Sequence, residues 1–224
     1  KFVQGDRIKI FIGEVEEATK FTKTFVSRKS EELLRGLLEL EVPEIYEGII
    51  EIKNIAREAG SRSKVAVYSS DENLDVKGAC IGRNGMRIQT IIDELQGEKI
   101  DIVLWNEDVK EFVKNALNPA QVLSVEVVEE GEDNLKVAKV VVAENQLSLA
   151  IGKKGQNSRL AARLCGVKID IHTKSDEVAE SDEDELEEGS AFQDTLDERE
   201  NAEKNSDSFE VEESAFAGLS EDNE

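Results

Sequence analysis

Ile81-Gly82-Arg83-Asn84-Gly85 recurs 70 residues later as Ile151-Gly152-Lys153-Lys154-Gly155. The residues after each copy are alike too. The first copy runs through Ile88, Ile91, Ile92 and Leu95 to Gly97, then Lys99-Ile100-Asp101-Ile102. The second runs through Leu160, Ala161 and Leu164 to Gly166, then Lys168-Ile169-Asp170-Ile171, one residue shorter. Apolar residues at i, i+3, i+4 and i+7 predict a helix with one buried face, and the closing segment predicts a strand. Two copies in the same context make each turn the mark of a domain.

A turn of this kind has physical consequences. Glycines let the backbone pass close to a ligand and adopt angles other residues avoid. The helix after the turn offers unpaired N–H groups and a partial positive charge, which suit a phosphodiester. Arg83 and Arg87 in the first copy, and Lys153, Lys154 and Arg159 in the second, add full charges. The candidate nucleic-acid contacts are therefore Ile81, Gly82, Arg83, Asn84, Gly85 and Arg87, with Ile151, Gly152, Lys153, Lys154, Gly155, Gln156, Asn157 and Arg159. The apolar groove beside Ile81 and Ile151 would receive bases. The bland alternative is a tight helix–helix turn. Neither copy has the Gly-Lys-Ser/Thr of a P-loop, nor Gly-x-Gly-x-x-Gly after a strand.

Reading outward, residues 7–15 alternate and predict a strand, and 22–27 another. Two or three strands cannot bury a core alone, so they read as the end of a barrel. Glu31 to Leu40 is an amphipathic helix with Ser30 as cap, ended by Pro43. Strands come next at 49–56 and 64–69 around a Gly60-Ser61 turn, then the first glycine turn, a helix to Leu95 and a strand at 99–105. The second unit repeats this order. A helix capped by Asn106 ends at Asn118-Pro119, before strands at 122–129 and 135–143. A short helix capped by Asn145, the second turn, a helix at 156–164 and a strand to His172 complete it. The very short linker predicts two modules packed as one rigid body.

The net charge of −22 argues against nucleic acid until it is divided. Residues 175–224 hold 21 acidic and 2 basic residues; residues 1–174 hold 26 basic and 29 acidic. The acidic, apolar-poor tail predicts disorder, and the body is close to neutral. A tail of this charge is also a candidate to occupy the basic turns when RNA is absent. Cys80 and Cys165 form no metal-ligand spacing with the single histidine, His172, and read as reduced thiols. No cofactor or metal is expected. His172 has no nucleophile in register, and Asp101 and Asp170 belong to separate modules, so no catalytic constellation is present. Trp105 is expected to pack at the junction of the units. Apolar runs are strand-sized, and no signal peptide or initiator Met is present, so the chain reads as a cytoplasmic fragment of something longer.

Leu40-Glu41-Val42-Pro43-Glu44-Ile45-Tyr46-Glu47-Gly48, Ile55-Ala56-Arg57-Glu58 and Gly78-Ala79-Cys80-Ile81-Gly82 resemble the NusA family of bacterial transcription elongation factors. So do Gly97-Glu98-Lys99-Ile100-Asp101-Ile102, Asn118-Pro119-Ala120 and Gln146-Leu147-Ser148-Leu149-Ala150-Ile151-Gly152-Lys153, the last continuing through Gly155-Gln156-Asn157. The resemblance covers about residues 1–174. It implies an α+β architecture of tandem type II KH domains, each a three-stranded sheet with helices on one face. The expected divisions are 1–29 as the last strands of an S1-like OB-fold, 30–105 and 106–174 as the KH domains, and 175–224 as the disordered acidic tail. The first turn reads Arg83-Asn84 where the family usually carries a lysine, which shifts one charge by a residue.

The resemblance implies a non-enzymatic module that holds nascent single-stranded RNA and modulates pausing, termination and antitermination. RNA polymerase and other elongation factors would be partners through the parent protein, in the bacterial cytoplasm, with the chain a monomer and no membrane involved. One alternative is a protein-interaction scaffold of the transcription or ribosome machinery using KH surfaces. Another is an exoribonuclease carrying such modules, although there they usually come after a catalytic domain.

Overall fold

The computed structural model describes residues 2–17, 21–130 and 135–175. The acidic tail beyond 175, the turn at 131–134 and the expectations attached to them lie outside these residues. Strands β1 (Phe11–Glu17) and β2 (Thr22–Ser27) pair antiparallel. The alternation beginning at Arg7 predicted an earlier start. The ladder opens at Phe11 because its partner, Ser27, is where β2 ends. Ile12, Val15, Phe25 and Val26 are exposed on this ribbon, as expected of two strands without a covering layer.

Helix α1 (Glu31–Glu41) starts where Ser30 Oγ accepts the Glu32 N–H, with Glu31 and Glu32 in its first turn. Leu33, Leu34, Leu37 and Leu38 form its buried stripe. Pro43 ends α1 as predicted but also opens a one-turn helix, α2 (Pro43–Tyr46). Proline suits this first position, where its missing N–H would have no helical partner. Strands β3 (Glu51–Glu58) and β4 (Arg62–Tyr68) form an antiparallel hairpin. Helices α3 (Val76–Ile81) and α4 (Met86–Glu94) flank the first glycine turn, and β5 (Lys99–Leu104) returns parallel to β4.

The second module repeats this with α5 (Val109–Leu117), β6 (Val122–Glu130), β7 (Leu135–Val142), α6 (Glu144–Ile151), α7 (Gln156–Cys165) and β8 (Lys168–Thr173). The sheet orders are β3-β4-β5 and β6-β7-β8. Two predicted caps are corrected. Asp108, not Asn106, caps α5 by accepting the Lys110 N–H; Asn106 Oδ1 instead accepts the Asp108 N–H, shaping the approach. Helix α6 starts two residues earlier than a cap at Asn145 implies, at Glu144, so Asn145 lies inside its first turn and Ala143, at the cap position, makes no side-chain cap.

Helices α1 and α4 cover one face of the first sheet, burying Leu34, Leu38 and Ile91 against Ile55, Val65 and Val67. Its other face carries Ala56, Ala66 and Val103, which join Val113, Ala116, Leu160, Ala161 and Leu164 in the core of the second module. Helices α5 and α7 thus lie between the two sheets. The expectation of helices on one face holds within each module, but the first sheet gains helices on its second face from its neighbour. Alanines at 56, 66, 116 and 161 permit that close approach. Burying side chains such as Leu160 and Leu164 contributes about 1.5–3 kcal/mol each.

A buried ion pair anchors the far end of the first sheet. Arg57 Nε meets Glu98 Oε1 at 2.8 Å and a second guanidinium nitrogen meets Oε2 at 2.9 Å. Ser63 Oγ and the Gly60 N–H also donate to this carboxylate, and Arg57 donates to the Ser30 carbonyl. Cys80 is buried and Cys165 half-buried, both free; burial pushes their thiols up to about 11 and about 12. Trp105 packs against the core shared by both modules, edge-on to Tyr68 at 5.4 Å, with Lys53 over both rings. Among the described residues no helix is long and apolar enough to cross a membrane.

Candidate nucleic-acid interface

The two glycine turns share one backbone. Gly82 and Gly152 have φ/ψ of 77°/171° and 76°/175°. Asn84 and Lys154 are left-handed at 54°/26° and 55°/31°, and Gly85 and Gly155 at 75°/12° and 71°/18°. In each turn the second glycine N–H returns to the carbonyl of the first, at 3.0 and 3.2 Å. The next N–H, from Met86 or Gln156, returns to Arg83 or Lys153.

The glycines are needed for different reasons. A Cβ on Gly82 would lie 2.6 Å from Arg87 Cγ, and one on Gly152 would lie 2.9 Å from the Asn157 backbone nitrogen. Gly85 has open space, and only its φ of +75° calls for glycine. Asparagine tolerates the left-handed region, but lysine is rare there. Holding Lys154 in it costs of order 1–3 kcal/mol, a strain that persists where surroundings over-determine it.

Those surroundings involve residues predicted to touch nucleic acid. Arg87 and Asn157 hold equivalent positions, five after the first glycine of each turn. Arg87 donates to the Ala79 carbonyl at 2.7 Å and to both oxygens of Glu44. Asn157 is buried, and its amide donates to Leu149, Ala150 and Leu117 carbonyls. Both side chains therefore tie the incoming helix to the outgoing one. The second turn gains a further brace. Gln156 Nε2 donates to Glu58 and Ser61, and Arg159 Nε donates to Glu58 at 2.8 Å. Arg159 also donates to the Lys154 carbonyl at 3.2 Å. The hydrogen bonds to Glu58, from Arg159 and then Gln156, hold its carboxyl below its ordinary value.

Glu58 was not singled out in the sequence. It closes β3 in the first module, and its partners lie about a hundred residues away on α7. Among the described residues Arg83, Lys153 and Lys154 have no carboxylate partner, in contrast to Arg87 and Arg159. They are exposed, as is Asn84. Beside each turn a helix packs near an edge strand: α3 near β5, and α6 near β8. Ile81 and Ile151, the last residues of α3 and α6, stand half-exposed, 37% and 38% accessible. Met86, at the start of α4, is 68% accessible beside the first turn and was also missed. Among the described residues, strands β5 and β8 each pair on one side, which leaves the backbone groups of their other edges available. Asp101 is occupied by Arg62 and Lys64 in ion pairs, and Asp170 Oδ2 lies 3.3 Å from His172 Nε2, so each acid meets a side chain of its own module.

The profile of the NusA-like first KH domain matches residues 28–105, and that of the NusA-like second KH domain matches 109–179. The chain belongs to the NusA family. Each matched NusA segment contains one glycine turn and one three-stranded sheet, so the architecture is that of tandem KH domains. The transcription termination/antitermination protein NusA of Halalkalibacterium halodurans is 54% identical over 172 residues, 77% of this chain and 44% of that protein. The protein of that name from Bacillus subtilis is 54% identical over 171 residues, 76% of this chain and 45% of the relative. That from Thermus thermophilus is 52% identical over 183 residues, 82% and 46%. The chain thus spans less than half the length of the NusA relatives it matches.

Proposed function

We propose that this chain is the RNA-binding region of a NusA-type transcription factor, with the two KH domains holding successive parts of one single-stranded RNA. The observation that carries this is the matched pair of turns. Two near-identical backbones present exposed residues beside the half-exposed Ile81 and Ile151, and among the described residues the cations at Arg83, Lys153 and Lys154 have no carboxylate partner. A KH turn of this type clamps about four backbone nucleotides. Arg83, Asn84, Lys153 and Lys154 face phosphate in this reading. Ile81 and Ile151 meet bases, and Arg87, Asn157, Gln156 and Arg159 position the turns. The edge strands read bases through backbone groups.

The wider role comes from the relatives' names. The parent protein would hold nascent RNA at RNA polymerase with other elongation factors, in the bacterial cytoplasm, and so modulate pausing, termination and antitermination. The chain itself is a non-enzymatic monomer in this reading, and β1–β2 are the closing strands of an OB-fold. The test replaces Arg83, Asn84, Lys153 and Lys154 together with aspartate and measures fluorescence anisotropy of labelled single-stranded RNA. With the fold intact by circular dichroism, affinity drops by at least about a hundredfold at low salt. Unchanged affinity refutes the reading.

A further inference from the structure

Asn84 is the one asparagine in the chain that is followed by glycine. The backbone nitrogen of the next residue can attack an asparagine carboxamide, and glycine, without a side chain, obstructs that attack least. This pair forms the middle of the first glycine turn, where the second turn carries Lys154-Gly155 on the same backbone.

The surroundings favour attack here over the other asparagines. Asn84 is exposed, and among the described residues its carboxamide has no hydrogen-bond partner. A Cβ on Gly85 would meet nothing within 4 Å, so there is room for a ring at this position. Asn54, Asn115 and Asn157 instead spend their amide nitrogens on the Leu164, Leu104 and Leu117 carbonyls, and each is followed by a residue with a side chain. Asn118 is followed by Pro119, which has no N–H to give up.

The closed turn holds the reacting atoms apart. The Gly85 N–H donates to the Gly82 carbonyl at 3.0 Å, and the Asn84 ψ of 26° points that nitrogen away from the side chain. Attack therefore waits for a local opening, which an exposed turn held by few bonds makes at low cost. A phosphodiester seated on the turn would keep it closed.

We infer that Asn84 is a site of spontaneous deamidation, and that its loss releases the first domain's grip on phosphate. The Gly85 nitrogen, its proton taken by hydroxide, bonds to Asn84 Cγ and closes a cyclic imide. The bond from Cγ to the amide nitrogen breaks, and that nitrogen takes a proton from water and leaves as ammonia. Water then opens the imide. Breaking the Cγ–nitrogen bond gives aspartate; breaking the original peptide bond gives isoaspartate, with the main chain rerouted through the side chain. The sum is one water consumed and one ammonia released. Either product sets a carboxylate, charged at neutral pH, where phosphate would lie. The second turn has no carboxamide at this position and keeps its grip. The consequence for binding rests on the RNA-binding reading above; the modification itself does not.

The experiment holds the full chain in warm, mildly alkaline buffer over days, with and without single-stranded RNA, and maps its peptides by mass. The peptide containing Asn84 gains the mass difference between NH2 and OH well ahead of those containing the exposed Asn73 and Asn106, and RNA slows the gain. Over the same period RNA affinity at low salt falls about tenfold, to that of a freshly made Asn84→Asp chain. Asn84→Lys, which places in the first turn the residue the second already carries at these angles, keeps its affinity throughout. If Asn84→Lys does not fold, the mass and affinity time courses of the unmodified chain decide alone. No gain at Asn84, equal gains at Asn73 and Asn106, or a converted chain that binds like the fresh one overturns the inference while leaving the turns as RNA contacts. Failure of the fresh chain to bind RNA overturns the reading beneath it, and the mass map still decides the modification.

Discussion

Replacing Glu58 with glutamine tests how the first domain braces the second. The Glu58 carboxylate accepts from Arg159 and Gln156, each at 2.8 Å, with Arg163 3.7 Å away. Hydrogen bonds to a charged group contribute about 1.5–3 kcal/mol when shielded, but exposed ion pairs contribute about 0–1. The Glu58 side chain is 21% exposed and Arg159 46%, so the pair lies between these limits. We expect Glu58→Gln to cost about 1–2 kcal/mol, because one oxygen becomes a donor facing other donors. For a domain pair of this size that lowers the melting temperature by about 2–8 °C.

The pH dependence gives the prediction a second readout. The folded carboxyl titrates below its ordinary value of 4.5, through its hydrogen bonds with Arg159 and Gln156. Its contribution is therefore present above that value and is lost as pH falls through the lowered one. Calorimetry should show the two proteins separated at pH 7 and converging on the acid side. Because Arg159 also donates to the Lys154 carbonyl, the variant should lose RNA affinity a few-fold through the second turn alone. That loss should be absent when Lys153 and Lys154 are already aspartate. Equal melting temperatures at pH 7, or additive effects of Glu58→Gln and Arg159→Ala, would refute the brace.

Two further outcomes are expected from the turns and the buried pair. Gly152→Ala should destabilise more than Gly155→Ala in urea unfolding. The first sets a Cβ 2.9 Å from the Asn157 backbone nitrogen, whereas the second bears only the left-handed penalty of about 1 kcal/mol. Arg57→Met should cost about 3–5 kcal/mol in the same assay by stranding a buried carboxylate. Burial opposes ionisation of Glu98, but Arg57, Ser63 and the Gly60 N–H outweigh it and lower its titration, so the parent chain's share from this pair fades in acid.

Local pattern made the element order legible. The leucine stripe from Leu33, the alternation around Val65 and the repeated glycine turns each act over a few residues. Longer-range pairing was hidden. Glu58 looks like a solvated strand end until α7 is placed against β3. Arg87, Arg159 and Asn157 look like RNA contacts because charge and position are visible in the sequence, while the carbonyls and carboxylates they meet are not. Lys64 suggests a polar sheet face, yet it is fully buried beneath the second domain. The cap at Asp108 was missed for a smaller reason: Asn106 and Asp108 are both good capping residues, and only the hydrogen bonds decide between them.

The central claim is that the two turns grip one RNA strand. It is tested most directly by affinity against RNA length, comparing 5- and 12-nucleotide single strands in the same salt. If both domains engage, the longer strand binds about 10²–10⁴ times more tightly. Aspartates at Arg83 and Asn84, or at Lys153 and Lys154, should then each collapse that gain to the short-strand value. A longer strand that binds no better than the shorter one, or a gain that survives loss of either turn, would contradict the account.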